Sequence, residues 1–207
     1  MQHKKLYYEI IEHAPFTAFA SILAVAIVFT IFFFKQSLIP TISSSFETIH
    51  ELHIIIAAIV SSALFYKYKK NIPLAMAVGL VSSIAIGSLS DVIFPYLGST
   101  LLNLKPEFHL PLLESPITIL AMALLGCILG IIFKISKFPH ALHIFISTFA
   151  SLLYITKYTI SLTPIYFIGI LIITFIAVIV PCCLGDIVLP ILLNAKKEDC
   201  CCDCGHH

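Results

Sequence analysis

Residues 50–56 read HELHIII, and residues 140–146 read HALHIFI. In each stretch a His-x-x-His pair stands where a polar segment gives way to a long apolar one. Residues three apart on a helix lie on the same face, so both histidines of a pair project to one side. The recurrence of this element predicts that the chain is built from two related halves.

Further segments match between the two halves, and they occur in the same order. The matches are SILAVAIV (21–28) with TILAMALL (118–125), Pro73 with Pro164, Gly79 with Gly169, and LSDVIFP (89–95) with LGDIVLP (184–190). Apolar helices resemble one another by composition, but ordered matches that carry His and Asp favour a true duplication. We predict one repeat over residues 15–104 and a second over 113–194, with an N-terminal segment 1–14 and a tail 195–207. The alternatives are coincidental similarity in a six-helix bundle and a duplicated structural scaffold.

The composition is that of a membrane protein. Of the 207 residues, 59% are hydrophobic and 11% are charged, and the mean hydropathy is +1.04. Soluble domains carry about 25% charged residues, so this chain could not cover its surface in water. A bilayer span takes about 20 apolar helical residues, and helices satisfy their own backbone groups in lipid. Six segments are predicted to span the lipid bilayer: 15–34, 49–66, 73–94, 116–133, 140–158 and 164–193.

The two halves are predicted to have opposite orientations in the membrane. Each repeat contains three spans, and an odd number makes the second copy enter inverted, which is the 3+3 arrangement of many secondary transporters. The fold class is therefore predicted to be an all-α integral membrane protein with an inverted-topology repeat. The last span is long and contains Pro181 and Gly185, where we expect a kink or break.

The lysines predict the orientation, because cytoplasmic loops are enriched in positive charge. Six spans put nine of the twelve basic residues on one side: Lys4, Lys5, Lys67, Lys69, Lys70, Lys134, Lys137, Lys196 and Lys197. The other side has Lys35, Lys105 and Lys157. Both termini are therefore predicted to be cytoplasmic, in a plasma or inner membrane.

The first candidate site combines His50, His53 and Asp91. The histidines begin the second span and Asp91 is near the end of the third. The short loop at 67–71 makes these spans antiparallel neighbours, so the three side chains are expected together, near the outer face. Glu47 and Glu51 flank the histidines; they could add ligands or attract cations to an outer mouth, or could simply be solvated.

The second candidate site combines His140, His143 and Asp186 in the same way, near the cytoplasmic face. Two imidazoles and one carboxylate can hold a divalent transition metal such as Zn²⁺. The same groups could relay protons, as intramembrane Asp and His often do. The structural alternative is that the histidines only make hydrogen bonds to a neighbouring carboxylate or to the backbone.

Seven cysteines form three groups. Cys127, within the fourth span, is expected to be a small core residue. Cys182 and Cys183 precede Asp186 by about one helical turn and could add thiolates to the second site. The tail has a soft-metal-binding composition, with its candidate ligands at Cys200, Cys201, Cys202, Cys204, His206 and His207. A palmitoylated cysteine cluster and a terminal affinity tag are the alternatives for the tail.

Together these patterns predict a transporter for a divalent transition-metal ion, most plausibly zinc, and not an enzyme. The two His/Asp groups would bind the ion and the cytoplasmic tail would capture it. The sequence has no basic tract, phosphate loop or nucleophile elbow, so no nucleic-acid partner is expected. A homo-oligomer is compatible with the sequence, which does not determine the oligomeric state. The alternatives are an organic-solute permease or membrane subunit with structural polar residues, and a zinc-dependent intramembrane hydrolase.

Overall fold

The regular secondary structure is helical in the computed structural model, which describes residues 2–34, 38–133, 137–158 and 166–193. The helices are α1 (Gln2–Phe34), α2 (Ile39–Ser43), α3 (Phe46–Tyr68), α4 (Ile72–Ser88), α5 (Phe94–Leu101), α6 (Pro111–Glu114), α7 (Pro116–Phe133), α8 (Lys137–Tyr158) and α9 (Phe167–Leu193). A π-helical turn, Leu89–Ile93, joins α4 to α5 without a break. We call it the π-turn.

Three helical segments of the described chain are long and apolar enough to span a membrane. They are Phe46–Tyr68, Ile72–Leu101 and Pro116–Phe133, and shorter apolar stretches occur at Thr17–Ile31 and Phe167–Pro181. The prediction for residues 116–133 is confirmed as α7, and those for 49–66 and 73–94 lie within longer helical segments. The fold class is thus confirmed as all-helical in the described ranges.

The distribution of polar and apolar side chains is that of a protein surrounded by lipid. Large apolar side chains such as Ile117 and Phe133 are exposed, whereas Ser62, Ser83 and Thr148 are buried. Hydroxyl groups placed between helices can satisfy hydrogen bonds that a lipid tail cannot offer. This arrangement indicates a membrane protein.

The two end helices are each continuous in the structure. The helix α1 begins at Gln2, so the predicted N-terminal segment 1–14 continues the first apolar helix from that residue. The helix α9 runs unbroken through Pro181 and Gly185 to Leu193, so the expected break is absent. Pro181 is buried, and helices in membranes tolerate proline where neighbouring helices protect the freed backbone groups.

The break in regular α-helix lies instead in the third predicted span, at the π-turn. The N–H of Phe94 donates to the carbonyl of Leu89, five residues earlier. Pro95 follows, and a proline both lacks an N–H and crowds the carbonyl four residues before it, which here belongs to Asp91. The widened turn accommodates this crowding, and such turns are frequent at functional sites.

The two helices α3 and α8 lie at the centre of the bundle. The helix α3 packs against α4, α7 and α8, and α8 also packs against α1 and α9. The first helix of each predicted repeat packs on the other repeat: α1 lies against α8 and α9, and α7 lies against α3 and α4. The predicted halves are therefore interlocked, and do not form separate three-helix units.

Contacts along the helices give their relative directions. Gly79 lies beside Ser62 and Gly87 beside Ile54, so α4 is antiparallel to α3. Gly126 lies beside Ala58 and Gly130 beside Ser62, so α7 is parallel to α3.

Aromatic contacts show that α8 is antiparallel to α3. Phe46 contacts Tyr154 with ring centroids 5.4 Å apart, and His53 contacts His143 at 4.6 Å. Phe29, near the end of α1, contacts Phe167 at the start of α9, with ring centroids 4.6 Å apart. The end of α1 therefore lies beside the start of α9.

Candidate functional site

Asp91 is the hydrogen-bonding centre of a fully buried polar cluster. Its Oδ2 accepts hydrogen bonds from Nδ1 of His50 at 2.8 Å and from Nδ1 of His53 at 2.6 Å. Its Oδ1 accepts from the hydroxyl of Ser90 at 2.6 Å and from that of Ser147 at 3.3 Å. The side chains of His50, His53 and Asp91 are 0% exposed. Each carboxylate oxygen thus has two donors.

Local sequence explains how these side chains meet. His50 and His53 are three residues apart on α3 and present both rings on one face. The turn at Lys69–Asn71 sends α4 back along α3, and the Asn71 side chain caps α4 by accepting from the N–H of Leu74 at 3.1 Å. The π-turn then carries Asp91 to the level of the two histidines.

The carboxylate determines which ring nitrogens carry protons. An ionised carboxylate only accepts hydrogen bonds, so Nδ1 of His50 and His53 must be the protonated nitrogen in each neutral ring. Each Nε2 then has a free lone pair, and both Nε2 atoms are buried without a hydrogen-bond partner in the described part of the chain. A histidine that binds a metal usually donates its other N–H to a carboxylate in this way.

The second His-x-x-His motif contributes to the same cluster. His143 is 5% exposed, and its ring lies 4.6 Å from that of His53, centroid to centroid. Ser147, one turn further along α8, donates to Asp91, and Ser151 donates to the carbonyl of Ser90 at 2.8 Å. The helix α8, which belongs to the predicted second repeat, therefore completes the surroundings of Asp91.

This meeting corrects the prediction that the two motifs lie near opposite membrane faces. His53 and His143 are in ring contact inside the bundle, because α3 and α8 pack directly on each other. The sequence indicated neighbours within each repeat, but it gave no information about which helices of different repeats touch. The serines at 90, 147 and 151 were missed, since isolated serines in apolar helices carry no distinguishing pattern.

Several predicted ligands cannot be placed. His140, Cys182, Cys183 and Asp186 belong to α8 and α9, but their side chains lie outside the described ones. The tail ligands Cys200, Cys201, Cys202, Cys204, His206 and His207 lie outside the described residues. Among the residues that are described, no group of three or more His, Cys, Asp or Glu is arranged to hold a metal ion. Asp91 has both oxygens engaged by donors, and in this arrangement it orients the histidines.

A second polar cluster covers the end of the bundle where α3 begins and α8 ends. Glu47 accepts from the ammonium of Lys157 and, at 2.9 Å, from the hydroxyl of Tyr158. Nδ1 of His109 lies 2.6 Å from a carboxylate oxygen of Glu114, and its Nε2 lies 3.5 Å from one of Glu47. We call these five residues the mouth cluster.

Phe46 separates the mouth cluster from the buried histidines. Its ring stacks near His50, with centroids 5.7 Å apart, and contacts His109 at 6.2 Å and Tyr158 at 5.8 Å. Phe46 is fully buried. The sequence offered Glu47 as a possible entrance residue, but not its pairing across to α8.

Cys127 is the one thiol whose surroundings can be described. It is buried, unpaired with another cysteine, and its Sγ lies 3.6 Å from the carbonyl of Met76 as a weak donor. The prediction of a small core residue is confirmed.

Comparison with protein-family models, with characterised proteins and with solved structures finds no match to this chain. Function must therefore be argued from the site.

Proposed function

We propose that this chain is a membrane transporter for a divalent transition-metal ion, with zinc as the leading candidate substrate, and that it is not an enzyme. The observation that carries the proposal is the pair of buried, unpartnered Nε2 atoms on His50 and His53. Asp91 fixes both rings in the tautomer that a metal ion requires, and His143 of the second repeat lies beside them.

Charge favours a cation at this position. With both imidazoles neutral, the cluster around Asp91 carries a net negative charge within apolar helices. An unneutralised charge in a low-dielectric interior is costly, so a cation that binds the Nε2 atoms would be stabilised by the carboxylate behind them. Ionisable groups inside a membrane bundle commonly mark ion pathways.

The packing supports a 3+3 inverted repeat. If the two repeats are equivalent, α1 corresponds to α7, α3 corresponds to α8, and α4 with α5 corresponds to α9. Under this correspondence the contact of α1 with α9 becomes that of α7 with α4, and the contact of α1 with α8 becomes that of α7 with α3. The contact between α3 and α8 maps onto itself, as expected for helices beside a two-fold axis.

The two central helices also align from their first histidine to their last residue. His50–Tyr68 and His140–Tyr158 match without a gap, share both histidines and a serine at 61 and 151, and end in Lys-Tyr. The ammonium of Lys67 lies 5.7 Å from the ring centre of Tyr68, and that of Lys157 lies 5.1 Å from that of Tyr158. We infer six spans with both termini cytoplasmic, and expect Asp186 to orient His140 and His143 as Asp91 orients the first pair.

In the proposed mechanism, the ion binds where the two repeats meet. His53 and His143 come from different repeats, so a shared ion would favour one arrangement of the repeats over another. Rocking of one repeat against the other would then expose the ion to each side in turn. Cys182, Cys183 and the cysteines of the tail would receive the ion on the cytoplasmic side.

The test uses purified protein in detergent and in proteoliposomes. We expect His53→Ala and His143→Ala to lower Zn²⁺ or Co²⁺ affinity and metal flux by at least about tenfold, as loss of one ligand should. The matched control is Ser83→Ala, a buried polar residue on α4 whose hydroxyl donates within its own helix. Binding would be measured by titration calorimetry and Co²⁺ absorption, and flux with a fluorescent indicator inside the vesicles.

The result that would contradict the proposal is unchanged metal flux in both histidine variants. Removal of residues 199–207 should change affinity or regulation and leave transport intact. Complete loss of transport in that truncation would make the tail part of the pathway.

An organic-solute permease is the other candidate, and it would need a central apolar cavity. The described cavity of about 600 Å³ is apolar, with Leu80, Val81, Ile84 and Leu120 in its lining. Val81 is 70% exposed, so this groove opens on the outer, lipid-facing surface of the bundle. This groove is therefore not the central cavity that a permease needs.

A further inference from the structure

The buried histidines are closed off at the end of the bundle that carries the mouth cluster. Val92 and Phe46 are fully buried and pack together with Tyr154 over the cluster of Asp91. Outside Phe46, Glu47 on α3 pairs with Lys157 on α8. The side chains of Glu47 and Lys157 are 38% and 26% exposed, so the pair lies at the surface, outside Phe46.

The pair links the same two helices that carry His53 and His143. Tyr158 adds a hydrogen bond to Glu47 at 2.9 Å, and the ring of His109 stacks on that of Tyr158 with centroids 4.7 Å apart. An ion that moves from the surface to His50 must therefore part α3 from α8 at this end and displace Phe46. Separation of Glu47 from Lys157 is required for either movement.

We propose that Glu47 and Lys157 form the gate over the buried histidine site, and that Lys157 occupies the position that an incoming cation takes at Glu47. A cation that reaches the carboxylate of Glu47 replaces the ammonium of Lys157. The bond between α3 and α8 is then lost, and Phe46 is free to turn away from His50. Only the identity of the cation rests on the proposed metal transport; the gate itself rests on the contacts.

The repeat supplies a matched control. Lys67 is the counterpart of Lys157 in the first repeat, and it lies over the ring of Tyr68 as Lys157 lies over that of Tyr158. Lys67 is exposed at the opposite end of α3. Replacing Lys67 removes the same charge and the same ring contact without touching the gate.

The experiment measures access to Val92 in full-length protein whose seven cysteines are replaced by serine or alanine. Val92→Cys introduces a reporter beneath Phe46, and proteoliposomes are treated with a membrane-impermeant cationic thiosulfonate in the absence of metal. We expect Glu47→Ala and Lys157→Met each to raise the labelling rate roughly two- to fivefold, the range for a partly exposed ion pair. Lys67→Met should leave the rate unchanged.

The charge exchange Glu47→Lys with Lys157→Glu separates gating from misfolding. It should return labelling to the slow rate of the parent, because the ion pair is restored in reverse. Unchanged rates in both single variants, or rapid labelling in the charge exchange, would overturn the gate. If the purified protein binds no Zn²⁺ or Co²⁺ while the labelling rates change as expected, the transport proposal is wrong and the gate proposal is supported.

Discussion

At the scale of single residues, Asp91 determines the chemistry of the buried cluster. It accepts from His50, His53, Ser90 and Ser147, so its lone pairs are used and both rings are fixed with the proton on Nδ1. Two solvent-exposed histidines would interconvert between tautomers, so their protons would not stay on Nδ1. The arrangement leaves two oriented Nε2 lone pairs in a buried site, and imidazole nitrogens suit borderline metal ions such as Zn²⁺.

Asp91→Asn tests this orientation. The change removes the negative charge behind the rings, and an amide nitrogen in the place of Oδ2 would face both imidazoles as a donor. Both rings would then have to move their protons to Nε2 and lose their free lone pairs. We expect Zn²⁺ affinity to fall about 10- to 100-fold, the usual effect of removing an outer-shell carboxylate. Titration calorimetry measures the affinity, and circular dichroism checks that the helix content is kept. Equal affinity in the variant would show that Asp91 does not set the tautomers.

At the scale of elements, small residues let α7 approach α3 closely. A methyl group at Gly126 would overlap the backbone carbonyl of Ile55, and one at Gly130 would overlap that of Ile59. Backbone atoms cannot turn away as a side chain can. The glycines therefore allow α7 to pack closely against α3, as small residues do between helices in membranes.

Gly126→Ala should for this reason destabilise the fold by about 1–3 kcal/mol, the usual cost of overpacking. Gly169→Ala is the control, because the methyl group there would meet only the end of the Leu102 side chain, which can change rotamer. Thermal unfolding in detergent, followed by circular dichroism, gives the comparison. A larger loss in Gly169→Ala would contradict the assignment of close backbone packing to Gly126.

At the scale of the whole molecule, the loop Lys69–Asn71 and the segment 102–110 lie at opposite ends of α3. The first follows the end of the helix at Tyr68. The second is held near its start, where the N–H of Glu107 donates to the carbonyl of Tyr158 and His109 approaches Glu47. If α3 spans the bilayer, these two segments face different compartments.

Single cysteines in the cysteine-free protein test that topology. Lys70→Cys and Glu107→Cys both replace exposed side chains. In intact cells an impermeant thiol reagent should label the Glu107→Cys variant, and the Lys70→Cys variant only after permeabilisation, as the excess of lysine on the cytoplasmic side predicts. Labelling of both variants in intact cells would rule out α3 as a span, and the reverse pattern would invert the proposed orientation.

The sequence by itself determined the all-helical, membrane-embedded class, the limits of α7 and the pairing of His50 and His53 with Asp91. Those features depend on hydropathy and on neighbours along the chain, which a single sequence records. Only the tertiary structure brought His143 to His53, Ser147 to Asp91 and Lys157 to Glu47. These contacts join helices that are far apart in the sequence, and hydropathy cannot distinguish among the ways in which similar apolar helices pack. The π-turn was not predicted. Pro95 marks its place in the sequence, but its geometry depends on how the helices pack around Asp91.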